Sequence, residues 1–114
     1  MQTPLQVTFR DVPPSEAIET RIREKAEKLG RYYDPIMGCR VVVQMSQRHK
    51  HQGKLHSVGI DLTVPGAELV ANNAEHEDVY VAIRDAFAAI TRQLEDYARR
   101  QRGEVKTHTA APNA

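Results

Sequence analysis

Four apolar residues spaced two apart, Val58, Ile60, Leu62 and Val64, alternate with Ser57, Gly59, Asp61 and Thr63 and run straight into Pro65-Gly66. A period of two marks a strand with one buried face, and Pro-Gly closes it as a turn. Such a strand cannot stand alone: the rest of the chain must supply partners for its edges and something apolar for its inner face. The partners are legible. Glu68 to Ala74 returns as a second strand, making a hairpin. Leu5, Val7 and Phe9 alternate with Gln6, Thr8 and Arg10 near the start, and Cys39 to Met45 forms one more β-rich run.

The cover is supplied by two helices. Asp11-Val12-Pro13-Pro14 stops the first strand, and Ser15 is a good N-cap, with Glu16 and Glu19 in the first turn where carboxylates favour the helix dipole. From there Ile18, Ile22, Ala26, Leu29 and Tyr33 repeat at helical spacing until Gly30 to Pro35 closes helix one. Asp78 caps a longer helix two, whose stripe is Val79, Ile83, Phe87, Ile90, Leu94 and Tyr97 and whose end lies near Gly103. The order is β-α-β-β-β-α. This is an α+β domain over residues 1–103, a four-stranded sheet with both helices packed on one face. Residues 104–114 carry Thr, Ala, Pro and Asn without a stripe and read as a disordered tail or the start of a linker. A chain of 114 residues fits one such domain.

Composition narrows the function. The apolar runs fall far short of the ~20 residues a membrane-spanning helix needs. Nothing after Met1-Gln2-Thr3-Pro4 resembles a secretory signal. A cytoplasmic protein is expected, in keeping with the single cysteine, Cys39, which reads as a small buried hydrophobe. There is no Walker loop, no Gly-x-Gly-x-x-Gly, no Gly-x-Ser-x-Gly and no His-Glu-x-x-His, so no enzyme, cofactor or small-molecule substrate is expected. His76 with Glu77 and Asp78 could be drawn as the acid/base set of a small hydrolase, but capping of helix two explains the carboxylates more simply. His49 and His51, in the polar connector Ser46 to Gly53, invite a metal reading. No cysteine or carboxylate accompanies them at a ligand spacing, so no metal is expected.

Sixteen basic against fifteen acidic residues give a net charge of +1, so any nucleic-acid function must lie in how charge is distributed. On helix one Arg21, Lys25, Lys28 and Arg31 form a stripe bordering the buried face, while Glu16, Glu24, Glu27 and the exception Arg23 lie further round. A solvated face would tie such charges into Glu24–Lys28 and Glu27–Arg31 pairs worth a few tenths of a kcal/mol each. A phosphate-binding face would leave them for the ligand. Helix two is mixed: Arg84 and Arg92 are interspersed with Asp85, Glu95 and Asp96, and only Arg99-Arg100-Gln101-Arg102 is strongly basic. Arg48, Lys50 and Lys54 make a further basic cluster in and after the connector.

Three stretches carry a resemblance. They are Glu24-Lys25-Ala26-Glu27-Lys28-Leu29-Gly30-Arg31-Tyr32-Tyr33-Asp34 after a Pro-Ser-Glu-Ala helix start, the hairpin Leu62-Thr63-Val64-Pro65-Gly66-Ala67-Glu68-Leu69, and Glu75-His76-Glu77-Asp78-Val79-Tyr80-Val81-Ala82-Ile83, followed by Arg92-Gln93-Leu94. In this order, across residues 4 to 102, the sequence resembles the ribosome hibernation promoting factor family, which includes the ribosome-associated inhibitor protein Y. The resemblance implies a fold similar to double-stranded RNA-binding domains, docked in the small ribosomal subunit where messenger and transfer RNA bind and blocking initiation by occupancy. It also implies RNA contacts from Arg21, Lys25, Lys28 and Arg31 on helix one and Arg92, Arg99 and Arg100 on helix two. Family members commonly carry lysines where this chain has Ala89 and Asp96. Long members add a C-terminal dimerisation domain, for which these residues have no counterpart. Some similar proteins continue into a cold-shock domain from a segment like Arg99 to Lys106. The alternative function is therefore a general RNA-binding module acting with an absent C-terminal domain.

Overall fold

Local sequence sets each element's start. The Ser15 side chain accepts a hydrogen bond from the Ile18 amide at 3.2 Å, and Asp78 Oδ1 accepts one from the Tyr80 amide at 2.9 Å, so both expected caps are formed. In the computed structural model, which describes residues 4–33, 36–46 and 55–103, the chain runs β1 (Leu5–Arg10), α1 (Glu16–Tyr32), β2 (Gly38–Ser46), β3 (Leu55–Val64), β4 (Ala67–His76) and α2 (Val79–Gln101). The expected β-α-β-β-β-α order is the observed one. The sequence expectations for His49, His51 and residues 47–53 of their connector, and for the 104–114 tail, lie outside the described residues.

The sheet order is β1-β2-β3-β4. β1 lies parallel to β2, as the intervening α1 crossover requires, and the other two pairs are antiparallel. Pro65 and Gly66 form the β3–β4 turn, with Gly66 at φ 79, the left-handed value a type II turn demands of its third residue.

Alternation then sorts the sheet into two faces. Val41 and Val43 of β2 and Val58, Ile60, Leu62 and Val64 of β3 are 2% exposed or less, and they meet Ile22 of α1 and Ile83, Ile90 and Leu94 of α2. Each such side chain contributes roughly 1.5–3 kcal/mol by leaving water. The opposite face is polar, with Arg40 and Asp61 3.9 Å apart across β2 and β3. Cys39 lies in the core. Burial, and secondarily the Asp61 carboxylate, push its thiol from 9.0 up to about 11, so it stays protonated and unreactive at neutral pH.

Three strands outrun their sequence signals: β2 takes in Ser46, expected to open the connector, β3 starts at Leu55 ahead of Ser57, and β4 runs past Ala74. β4 continues to His76 because of a bulge: Val58 pairs with Ala74 and Ile60 with Ala71, so Asn72 and Asn73 together oppose Gly59. Both asparagines are exposed, and the inward residues step from Ala71 to Ala74 rather than to position 73. α1 ends at Tyr32, within the expected Gly30 to Pro35 stretch, and the Tyr33 amide closes the last turn on Leu29 O at 3.0 Å.

Candidate nucleic-acid interface

The two helices lie side by side on the sheet, and their mutual direction follows from what meets at each end. The Arg21 guanidinium, early in α1, stands 4.9 Å from the ring centroid of Tyr80 in the first turn of α2. At the other end Tyr32 and Tyr33 share a hollow with Leu94, Tyr97 and Ala98. The helices are therefore parallel. The flank of α1 that bears the basic stripe faces α2 along its length.

Between them lies a cleft of about 440 Å³. Leu29 and Phe87, each 5% exposed, belong to its lining and anchor it to the core. Lys25 and Lys28 line it from α1, and Arg84 and Arg92 from α2, with Glu95 the one carboxylate among them. Four cations around one narrow cleft repel one another, and an anion running between them relieves that repulsion. The i,i+4 pairs of a solvated face are not formed among the described residues; Glu24 instead stands 4.0 Å from Arg21. Arg84 is held by Asp85, its Nη2 3.2 Å from Oδ1. Lys25, Lys28 and Arg92 form no ion pair within the described residues.

The sequence-predicted cations thus divide. Lys25, Lys28 and Arg92 line one cleft, and Arg21 stands beside Tyr80 at the start of α2. Arg31 lines an adjoining hollow of about 380 Å³ together with Arg102. Arg99 donates to Asp96 on the exposed surface of α2. Arg100 is exposed but lies about 160° round the helix from Arg84, on the flank that borders β4 rather than α1. Sequence reasoning missed Arg84, Arg102 and Tyr32. The signal for the arginines was present: Arg84, Ala88, Thr91, Glu95, Ala98 and Arg102 recur every three or four residues and form one line along α2.

The residues once weighed for chemistry have structural partners. His76 Nδ1 accepts the Asp78 amide and His56 Nδ1 donates to the Glu77 carbonyl, each at 2.9 Å, so the two cross-strand histidines lace the start of α2 to the sheet. Among the described residues no group of three His, Cys, Asp or Glu side chains could hold a metal ion, and no helix is long and apolar enough to cross a membrane.

A sequence profile of the family described as Sigma 54 modulation protein / S30EA ribosomal protein matches residues 5–102, every element of the fold. The chain belongs to that family. Among proteins similar to this S30EA family member is the ribosome hibernation promoting factor of Azotobacter vinelandii, 33% identical over 113 residues, which cover 95% of this chain and 98% of the relative. The resemblance read from the three sequence stretches is borne out. Two solved structures share the fold at 20% identity over 84% of this chain. A ribosomal subunit interface protein from Coxiella burnetii superposes with a TM-score of 0.73 over 98% of its length, and the N-terminal domain of Thermus thermophilus Protein Y with 0.61 over 99%.

Proposed function

We propose that the protein binds the small ribosomal subunit through the groove between α1 and α2, occupies the channel for messenger and transfer RNA, and so holds translation down during stress or stationary phase. The observation that carries this is the cleft itself: two parallel helices aim Lys25, Lys28, Arg84 and Arg92 at one line of space. The names of the relatives supply the ribosome as the target. Lysine and arginine around a groove suit a phosphate backbone, since each neutralised phosphate releases counterions and strengthens binding in a salt-dependent way. The action is steric, requires no bond to be made or broken, and takes place in the cytoplasm where ribosomes are.

Sedimentation tests it. The protein should travel with isolated small subunits at low salt, and bound transfer RNA should displace it. A protein that stays at the top of the gradient, or rides with the small subunit without competing with transfer RNA, would overturn this function. Because the four cations contact phosphate rather than base edges, they also fit a general RNA-binding module. Excess unrelated duplex RNA would strip such a module from ribosomes and leave a ribosome-specific factor in place.

A further inference from the structure

One exposed aromatic is left over by the fold. Tyr32 is 70% exposed, more than any other large hydrophobic residue described, yet it stands in the last turn of α1 with an apolar core a few residues away. Its neighbour Tyr33 satisfies that core, and the two rings are 6.2 Å apart and tilted by 53°, so Tyr32 projects clear of it. It also lines both compartments of the interhelical groove. On one side is the cleft with Lys25 and Lys28. On the other is the hollow of about 380 Å³, lined by Tyr33, Leu94, Tyr97 and Ala98 together with Gln101, Arg31 and Arg102.

The two compartments differ in chemistry. The first is rimmed by cations, as a phosphate track would be. The second presents an aromatic face, an amide that can both donate and accept, and two arginines at its edge, which is the set of groups that recognises a flat heterocycle flanked by phosphates. We propose that this second compartment is a subsite for an unpaired nucleobase, which stacks on Tyr32 while its flanking phosphates lie among the cations of the first. The inference rests on the groove being an RNA site and adds what kind of RNA: single-stranded or splayed, because a base inside a duplex has no free face to offer.

The test is affinity of the full chain for a twelve-nucleotide RNA, single-stranded or annealed to its complement, read by fluorescence anisotropy across a salt series. Stacking on an aromatic is sequence-tolerant, so Tyr32→Ala should weaken single-strand binding by about 5- to 150-fold with the slope of log affinity against log salt unchanged. Tyr32→Phe, which keeps the ring, should bind like the parent, and Tyr32→Leu like the alanine variant. Duplex binding should not respond to any of the three. Thermal denaturation controls for folding, to which this exposed ring contributes little. If Tyr32→Ala binds the single strand within twofold of the parent, or if Tyr32→Phe fails as badly as Tyr32→Ala, there is no base subsite. The RNA groove itself would survive that result provided Lys25→Ala/Lys28→Ala still weakens both RNAs and flattens the salt slope. Failure of the parent to bind either RNA or small subunits would remove both.

Discussion

Replacing Lys25, Lys28 and Arg92 together with alanine removes three of the cations around the central cleft and puts a number on the proposed phosphate track. Each phosphate contact contributes about 0.7 to the slope of log affinity against log salt for single strands and about 0.9 for duplex-like nucleic acid. Three contacts therefore lower the slope by about 2–3. If parent and variant converge near 1 M salt, where counterion release no longer drives binding, the variant is weaker by roughly 100- to 500-fold near 0.1 M. Stability should hardly change. None of the three is in an ion pair within the described residues, Lys28 and Arg92 are exposed, and surface substitutions usually fall within about 0.5 kcal/mol each.

The assay is a ribosome-binding titration at several salt concentrations, alongside a thermal melt. Its control belongs on the far flank of α1, where Glu16→Gln/Glu27→Gln should leave binding intact or strengthen it. Glu24 is unsuitable for that control because it sits beside Arg21. Two outcomes would refute the reasoning. One is a variant whose salt dependence runs parallel to the parent's. The other is loss of binding in the acidic-flank variant while the basic one binds normally.

The fold makes further commitments. Tyr97→Phe removes the hydroxyl that donates to the Pro65 carbonyl at 2.8 Å and ties the β3–β4 turn to α2; urea denaturation should register a loss of about 0.5–1.5 kcal/mol. Asp78→Ala should cost about 1 kcal/mol in the same assay by uncapping α2, and Asp78→Asn should recover most of it. Cys39 predicts a pH dependence. Its folded pKa lies above its unfolded one, so its stabilising contribution is complete below about pH 9 and is lost as pH rises towards about 11, by roughly 2–3 kcal/mol. Denaturation of the parent and Cys39→Ala across that range should show the steeper fall in the parent; equal slopes would count against the burial argument.

What could be seen beforehand follows the range of the forces involved. α1, β1 and β3 were legible because their apolar residues repeat at a regular spacing and Ser15, Pro13-Pro14 and Pro65-Gly66 mark where α1 starts and where β1 and β3 stop. β4 was legible only as far as Ala74. Its bulge places Asn72 and Asn73 against Gly59 and shifts the inward residues by one, and no local signal in a single strand reveals what its partner does at that point.

Helix two shows why a binding face is harder to read than a core. Its apolar stripe is long and was found, but a stripe has two borders, and only tertiary packing decides which border faces α1. In the sequence Arg100 belongs to the one strongly basic run, Arg99-Arg100-Gln101-Arg102, while Arg84 and Arg92 sit among acids. The parallel arrangement of the helices turns Arg84 and Arg102 towards the groove and leaves Arg100 by β4. The acidic neighbours that made the helix look unpromising are mostly displaced by the same geometry. Asp85 lies along β4 while holding Arg84 from the side, and Asp96 pairs with Arg99 on the surface, so Glu95 alone lines the cleft. Charge counted along the chain averages over faces that the fold keeps apart. A helix with nearly balanced charge can therefore present a cationic wall to one neighbour, and a protein with a net charge of +1 can still have a cationic groove.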